Sequence, residues 1–312
     1  MALSTFHWRR PNELPSGELR VLFAALRGEP RPPTSLQRLL SPEYVARTSQ
    51  AQFSAAIMQD PLIAARVLAV VNSPFYGLQK PVDSIEPAVH LLGMETVRGI
   101  CLRYMLAQAF KPNLASAQVY FDTLWQASAI ASELCLRLAK GLQLPQQGAL
   151  VTHVVLAFVG HLVAASRLPH EMLPRWLELD PLQRARLEQE AMGLTATEVG
   201  GLLMRFWRLP TPLVREVCAM GRVLVTPVSD VEPEQVPPLA LGYLCMRLGE
   251  KLALGRLASF DDYDPAFDIT PDTYHLRTYL VHPGIAPVRD LLHTRAMQAW
   301  VQRACARAVA PG

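Results

Sequence analysis

His153 and His161 lie on one apolar stretch, Gly148–Ser166, which reads GALVTHVVLAFVGHLVAAS. Histidine is the side chain that most often ligates a transition metal or passes a proton near neutral pH. Their spacing argues against a shared ion, because eight residues of helix separate them by about 12 Å along the axis. Both are therefore expected to be helix-edge histidines with local hydrogen bonds. His275, His282 and His293 match no ligand spacing. The five cysteines, Cys101, Cys135, Cys218, Cys245 and Cys305, lie far apart without a CxxC pair. An odd count argues against a closed disulfide set, so buried thiols are expected. Phe260–Asp272 holds five aspartates, and Asp262, Asp264 and Asp268 start like a calcium loop. However, Phe267 takes the place of the sixth-position glycine, and Thr273 that of the bidentate twelfth acid. A solvated acidic loop is the expectation.

The histidine stretch must sit on an element, and its sequence says which kind. Leu150 to Ala165 is almost continuously apolar, yet shorter than the roughly 20 residues that span a bilayer. A helix apolar on nearly all sides belongs in a protein core. The whole chain of 312 residues is 50% hydrophobic and 18% charged, which is a globular composition. With a net charge of +3 and no basic run, nucleic acid is not an expected partner. The start, MALSTFHWRR, has no apolar h-region, so a cytoplasmic protein with no membrane association is expected.

Signals for further helices are frequent. Asp60-Pro61 caps and opens Leu62–Val71, which stops at Asn72-Ser73-Pro74. Asp83 or Ser84 caps the next helix, with Glu86 as a capping-box partner, and Gly93 ends it. Glu95–Phe110, Ala117–Lys140, Thr195–Trp207, Thr211–Met220 and Leu239–Leu254 follow as helices, with Thr195 and Glu198 as a second capping box. Shorter ones are expected at 35–40, 42–48, 51–59, 175–179 and 182–192, and a last helix at 286–309. No stretch from 35 to 255 alternates with period two. The fold class is all-α. The expected organisation is an extension at 1–30, a first lobe at 31–115, a second at 116–256, and a tail at 257–312.

The order of certain residues carries more. Asp60-Pro61-Leu62, Val67-Leu68, Asn72 to Gly77, Ser84-Ile85, Ala88 and Leu92-Gly93 mark the first half. Trp125, Ser128, Ala131, Val159-Gly160, Glu198-Val199-Gly200 and Trp207 to Pro210 mark the second. This series resembles the HDOD domain family, relatives of the HD metal-dependent phosphohydrolases. The resemblance implies a two-lobed helical bundle with a degenerate HD-like lobe. In catalytic HD proteins, histidines and aspartates hold one or two ions that activate water. Carried over by resemblance, those positions fall on Ala127, on Ala157-Phe158, on Ala196, near Met220-Gly221, and on Met246. Methyl, benzyl and thioether groups do not replace nitrogen and carboxylate ligands. The resemblance thus implies no metal, no cofactor and no catalysis.

It implies instead a bacterial signalling adaptor, of the sort associated with two-component and cyclic di-GMP regulation, whose partner is a protein. The alternative is a receptor with a nucleotide or cyclic dinucleotide in the vestigial cleft. Asn72 and Ser73 have two readings: a C-capping turn, or a turn that with Tyr76 presents side chains to a partner. Asp261, Asp262 and Asp264 in the acidic loop, with the final helix, are the other candidate surface. Trp125 and Trp207 are expected as core anchors.

Overall fold

The protein is described by a computed structural model covering residues 6–29, 41, 44, 47–73, 76, 78–110 and 115–309. The sequence expectations at 30–40, at 42–46 apart from Tyr44, at 74, 75 and 77, and at 111–114 fall outside these residues.

Helices appear where apolar periodicity and capping chemistry coincide. They are α1 (Ser16–Leu26), α2 (Gln50–Met58), α3 (Pro61–Val71), α4 (Ile85–Leu92), α5 (Met94–Ala109), α6 (Gln118–Gly141) and α7 (Gln147–Arg167). Then follow α8 (Leu173–Glu178), α9 (Pro181–Met192), α10 (Ala196–Phe206), α11 (Thr211–Arg222), α12 (Val236–Ala253), α13 (Tyr274–Tyr279), α14 (Val288–Leu292) and α15 (Arg295–Val309). Among the described residues there are no strands.

The central apolar run becomes α7, and α5, α6, α10, α11 and α12 all pack against it. It is long and apolar enough to cross a membrane, but 94% of its most apolar window is buried inside the protein. Its neighbours approach closely because small residues mark the crossings. A Cβ on Gly160 would collide with the Ala196 carbonyl oxygen of α10, and one on Gly200 would lie 2.8 Å from the Gly160 Cα. Gly249 of α12 serves α6 in the same way: its Cβ would meet the Ala127 carbonyl oxygen at 2.6 Å.

Two apolar clusters form around this frame. One joins α1 to α5 with one side of α7 and with α10 and α11. The other joins the remaining side of α7 to α6, α12 and the tail, and it includes Trp8, Phe260, Tyr279 and Trp300. The extension and the tail are therefore parts of the core.

Three local expectations are corrected. Asp60 does cap α3, accepting from Leu62 and Ile63 N–H. Thr195 caps α10, but the Glu198 carboxylate does not reach back to it. It accepts instead from the Arg222 guanidinium at 2.7 and 2.9 Å and from Trp8 Nε1 at 2.8 Å. Those long-range, charge-assisted bonds outcompete the local box. Ser84 is the N-cap of α4, but its hydroxyl donates to Asp83 Oδ1 at 3.1 Å and makes no capping bond, so the Asp83–Glu86 box is absent. The last helix is broken at His293-Thr294 into α14 and α15.

The acidic loop is likewise only partly solvated. Arg247 binds Asp272, which is fully buried, and Asp268 at 2.7 Å; Lys251 also reaches Asp268 at 3.2 Å. Burial alone would lower the Arg247 pKa, but the Asp272 bond and charge together with the Asp268 and Tyr263 oxygens outweigh it and raise the pKa. Asp268 moves well below the usual carboxylate range; burial opposes the shift, which hydrogen bonding from Thr270 and the Arg247 charge produce. Apolar packing of the tail brings these partners together across 21 and 25 residues of sequence.

Candidate functional site

The positions that the resemblance assigns to a metal centre are filled with packed side chains. Phe158 is fully buried, and Ala127 and Ala196 are each 1% exposed. Ala127, Phe158, Met220 and Met246 share one apolar cluster; Ala196 belongs to the other, and half-buried Ala157 touches both. Among the described residues, no group of three His, Cys, Asp or Glu side chains is placed to hold a metal ion. These residues do not fit the metal of the HD enzymes.

What remains of a cleft there is a cavity of about 40 Å³, lined by Trp8, His161, Thr197, Gly221, Met246 and several charged groups. Arg184 Nη2 donates to both Glu250 oxygens at 2.9 and 2.7 Å, and its guanidinium lies 5.3 Å from the Trp176 ring centre. Glu188 accepts from Trp176 Nε1 at 2.9 Å and from Ala196 N–H at 2.7 Å. Burial raises the Glu188 pKa against the pull of Arg184. Nothing local in the sequence marks these residues as a group. Arg184 and Glu188 share one turn of α9, while Glu250 arrives from α12.

The two histidines differ from their expected setting. His161 faces the Phe158 and Trp176 rings at 5.8 and 6.3 Å, and its Nδ1 makes no hydrogen bond. Its pKa falls to about 4, chiefly by burial and further by the Arg184 charge. His153 Nε2 lies 3.5 Å from Glu216 Oε2. Burial, helped by Arg98, lowers its pKa to about 4, so at neutral pH this is a contact of a neutral imidazole with a carboxylate. Four of the five cysteines are buried and Cys305 is half-buried; none is in a disulfide.

The candidate interaction residues form two separate groups. The Asn72 amide spans the turn, donating to Val82 C=O and accepting from Val82 N–H, both at 2.7 Å. Ser73 Oγ is shut off from solvent. Tyr76 lines a larger cavity between α4, α5 and α6. In the tail, Asp261 and Asp262 are exposed, whereas Asp264 is held by Arg289 at 2.7 Å and accepts from Ala266 N–H. Trp207 is buried as expected, and Trp125 is half-buried.

An all-α bundle with small-residue crossings on one apolar helix is the architecture of an HD-like fold. A family model described as HDOD domain matches residues 30–221, and the chain belongs to that family. An HDOD domain protein from Geobacter sulfurreducens aligns at a TM-score of 0.62 with 18% identity, over 93% of this chain and 92% of that one. A Shewanella amazonensis SB2B protein, provisionally described as a phosphohydrolase, aligns at 0.60 with 20% identity, over 91% and 97%. A Marinobacter aquaeolei VT8 protein, provisionally described as a signal transduction protein, aligns at 0.58 with 19% identity, over 95% and 66%. At these identities the likeness is one of fold. No match was found among curated proteins.

Proposed function

We propose that this chain is a non-catalytic regulatory adaptor that acts by binding another protein. The observation that carries the proposal is the fully buried Phe158 at the position where the HD pattern needs an acidic ligand, with alanines and Met246 at the others. Family membership, and the signal-transduction description of one structural relative, fit a signalling role.

The receptor alternative fares worse at the old cleft. A space of about 40 Å³ is water-sized. Ligand pockets run to roughly 300–1,000 Å³. The cations beside it, Arg184 and Arg247, are already matched by Glu250, Asp268 and Asp272. The tail loop offers exposed groups on which a partner could dock. There Asp261 and Asp262 are exposed, and Phe267 and Ile269 are 74% and 79% exposed. Such a loop suits a partner offering basic and apolar groups.

Two measurements test the proposal. Calorimetry with a cyclic dinucleotide should give no heat; submicromolar binding that disappears in Met246→Trp would overturn the adaptor reading. Cross-linking in the native host, with the native chain and a Phe267→Ser, Ile269→Ser double variant, should yield a partner that the variant loses while its melting is unchanged. A partner retained by the variant would remove the loop from the proposal.

A further inference from the structure

A second cavity lies away from the old metal positions, in a groove between α4–α5 and α6. It measures about 280 Å³. One wall is a helical stripe of α5, Thr96, Gly99, Ile100 and Arg103, at the i, i+3, i+4, i+7 spacing that shares a face. The facing wall is α6, with Ser132, Glu133, Leu136, Arg137 and Lys140. Leu91 and Leu92 of α4, with Tyr76 and Leu78 of the preceding loop, close one end. Among the described residues, three cations thus line this cavity together with one carboxylate, Glu133.

Two of the cations are held where water screens them poorly. Arg103 is half-buried and donates from Nη1 to the neutral Ser132 Oγ at 3.2 Å. Arg137 is half-buried, with its guanidinium 5.7 Å from the Trp300 ring centre. Burial lowers the pKa of both, and Glu133 opposes the shift in each case. Lys140 is exposed at the mouth. A dianion in the groove would add countercharge beside Glu133, and guanidinium groups suit phosphate oxygens in particular. The remaining walls are apolar, which favours a ligand with a body as well as a charge.

We propose that this groove binds a phosphomonoester of mononucleotide size, with its phosphate at Arg103, Arg137 and Lys140 and its body against Leu92, Ile100 and Leu136. The volume is at the lower edge of ligand pockets, which disfavours a cyclic dinucleotide. The site is distinct from the vestigial cleft and leaves the adaptor proposal intact. It would give the adaptor a small-molecule input.

Calorimetry on the full chain tests this with AMP, GMP, adenosine and inorganic phosphate as probes. The expected result is one site for AMP or GMP with a Kd of about 100 μM or tighter. Adenosine and inorganic phosphate should each bind at least about tenfold more weakly. Lys140→Glu, at an exposed position, should keep the native melting temperature and weaken nucleotide binding by about tenfold or more. Arg103→Met, which keeps the length of the side chain, should do the same, and Met246→Trp should have no effect. No binding of either nucleotide at millimolar concentration would overturn the proposal. So would equal binding of adenosine, equal binding of inorganic phosphate, or nucleotide binding unchanged in both groove variants. Loss of binding in Met246→Trp alone would move the ligand to the old cleft, overturning this proposal and the adaptor reading together.

Discussion

Lowering the pH from 7 to 5 should destabilise this protein through His153 and His161. Both are 9% exposed, and both have folded-state pKa values near 4 against an ordinary 6.5. A histidine with a depressed folded pKa takes up its proton more readily when unfolded. Its contribution to stability is therefore complete above the unfolded value of 6.5 and is lost as pH falls toward 4. By pH 5 the loss is about 2 kcal/mol for each histidine. The charged groups around them do not remove the effect. Arg98 and Glu216 face His153, and Arg184 and Glu250 face His161. Glu188 acts in the opposite sense, because burial raises its pKa and protonation then favours the folded form. The raw slope of stability against pH is thus a mixture, and the useful quantity is a difference between variants. Urea unfolding of the native chain and His161→Leu at pH 7 and pH 5 isolates it. His161 Nδ1 makes no hydrogen bond, so the leucine forfeits none at that atom. The gap should move in favour of the leucine variant by about 2 kcal/mol between the two pH values. An unchanged gap would refute the burial of a neutral imidazole at this position.

Three further outcomes follow from the packing. Phe158→Ala should cost roughly 3–5 kcal/mol by transfer and cavity terms, and Phe158→Asp more because it buries an unpaired charge. Unchanged urea midpoints would put that side chain in solvent. Gly160→Ala should destabilise by about 2 kcal/mol or more, since its Cβ meets the rigid backbone of α10; thermal melting of this variant beside Ala157→Gly separates the clash from helix propensity. Arg247→Met should cost roughly 3–5 kcal/mol by leaving the buried Asp272 without its partner. A chemical denaturation curve matching the native one would show that the tail is not anchored there.

Much of this fold was legible because its signals are local. Asp60-Pro61 names a cap and a first helical residue, and the α3 boundaries fall beside them. The uncharged run from Gly148 to Ser166 could be satisfied only by surrounding helices, and α7 is so surrounded. The five positions assigned by resemblance to the HD pattern, and not by any local signal, lie in the core or at its boundary. Long-range pairing was not legible. Thr195 and Glu198 have the spacing of a capping box, yet Arg222, 24 residues on, takes the carboxylate. Asp268 and Asp272 looked like solvated charges until the tail folded back on Arg247. The cationic groove escaped for the same reason. Arg103 and Arg137 lie on different helices, and only the packing of α5 beside α6 makes them neighbours.

The most direct test of the central claim is elemental analysis of the purified chain, run with hydrolysis assays on mono- and cyclic nucleotides. With Ala127, Ala157, Phe158, Ala196 and Met246 at the HD positions, the expected result is no stoichiometric metal and no phosphoester turnover. About one equivalent of manganese, iron or zinc per chain, lost on chelation together with hydrolytic activity, would contradict it.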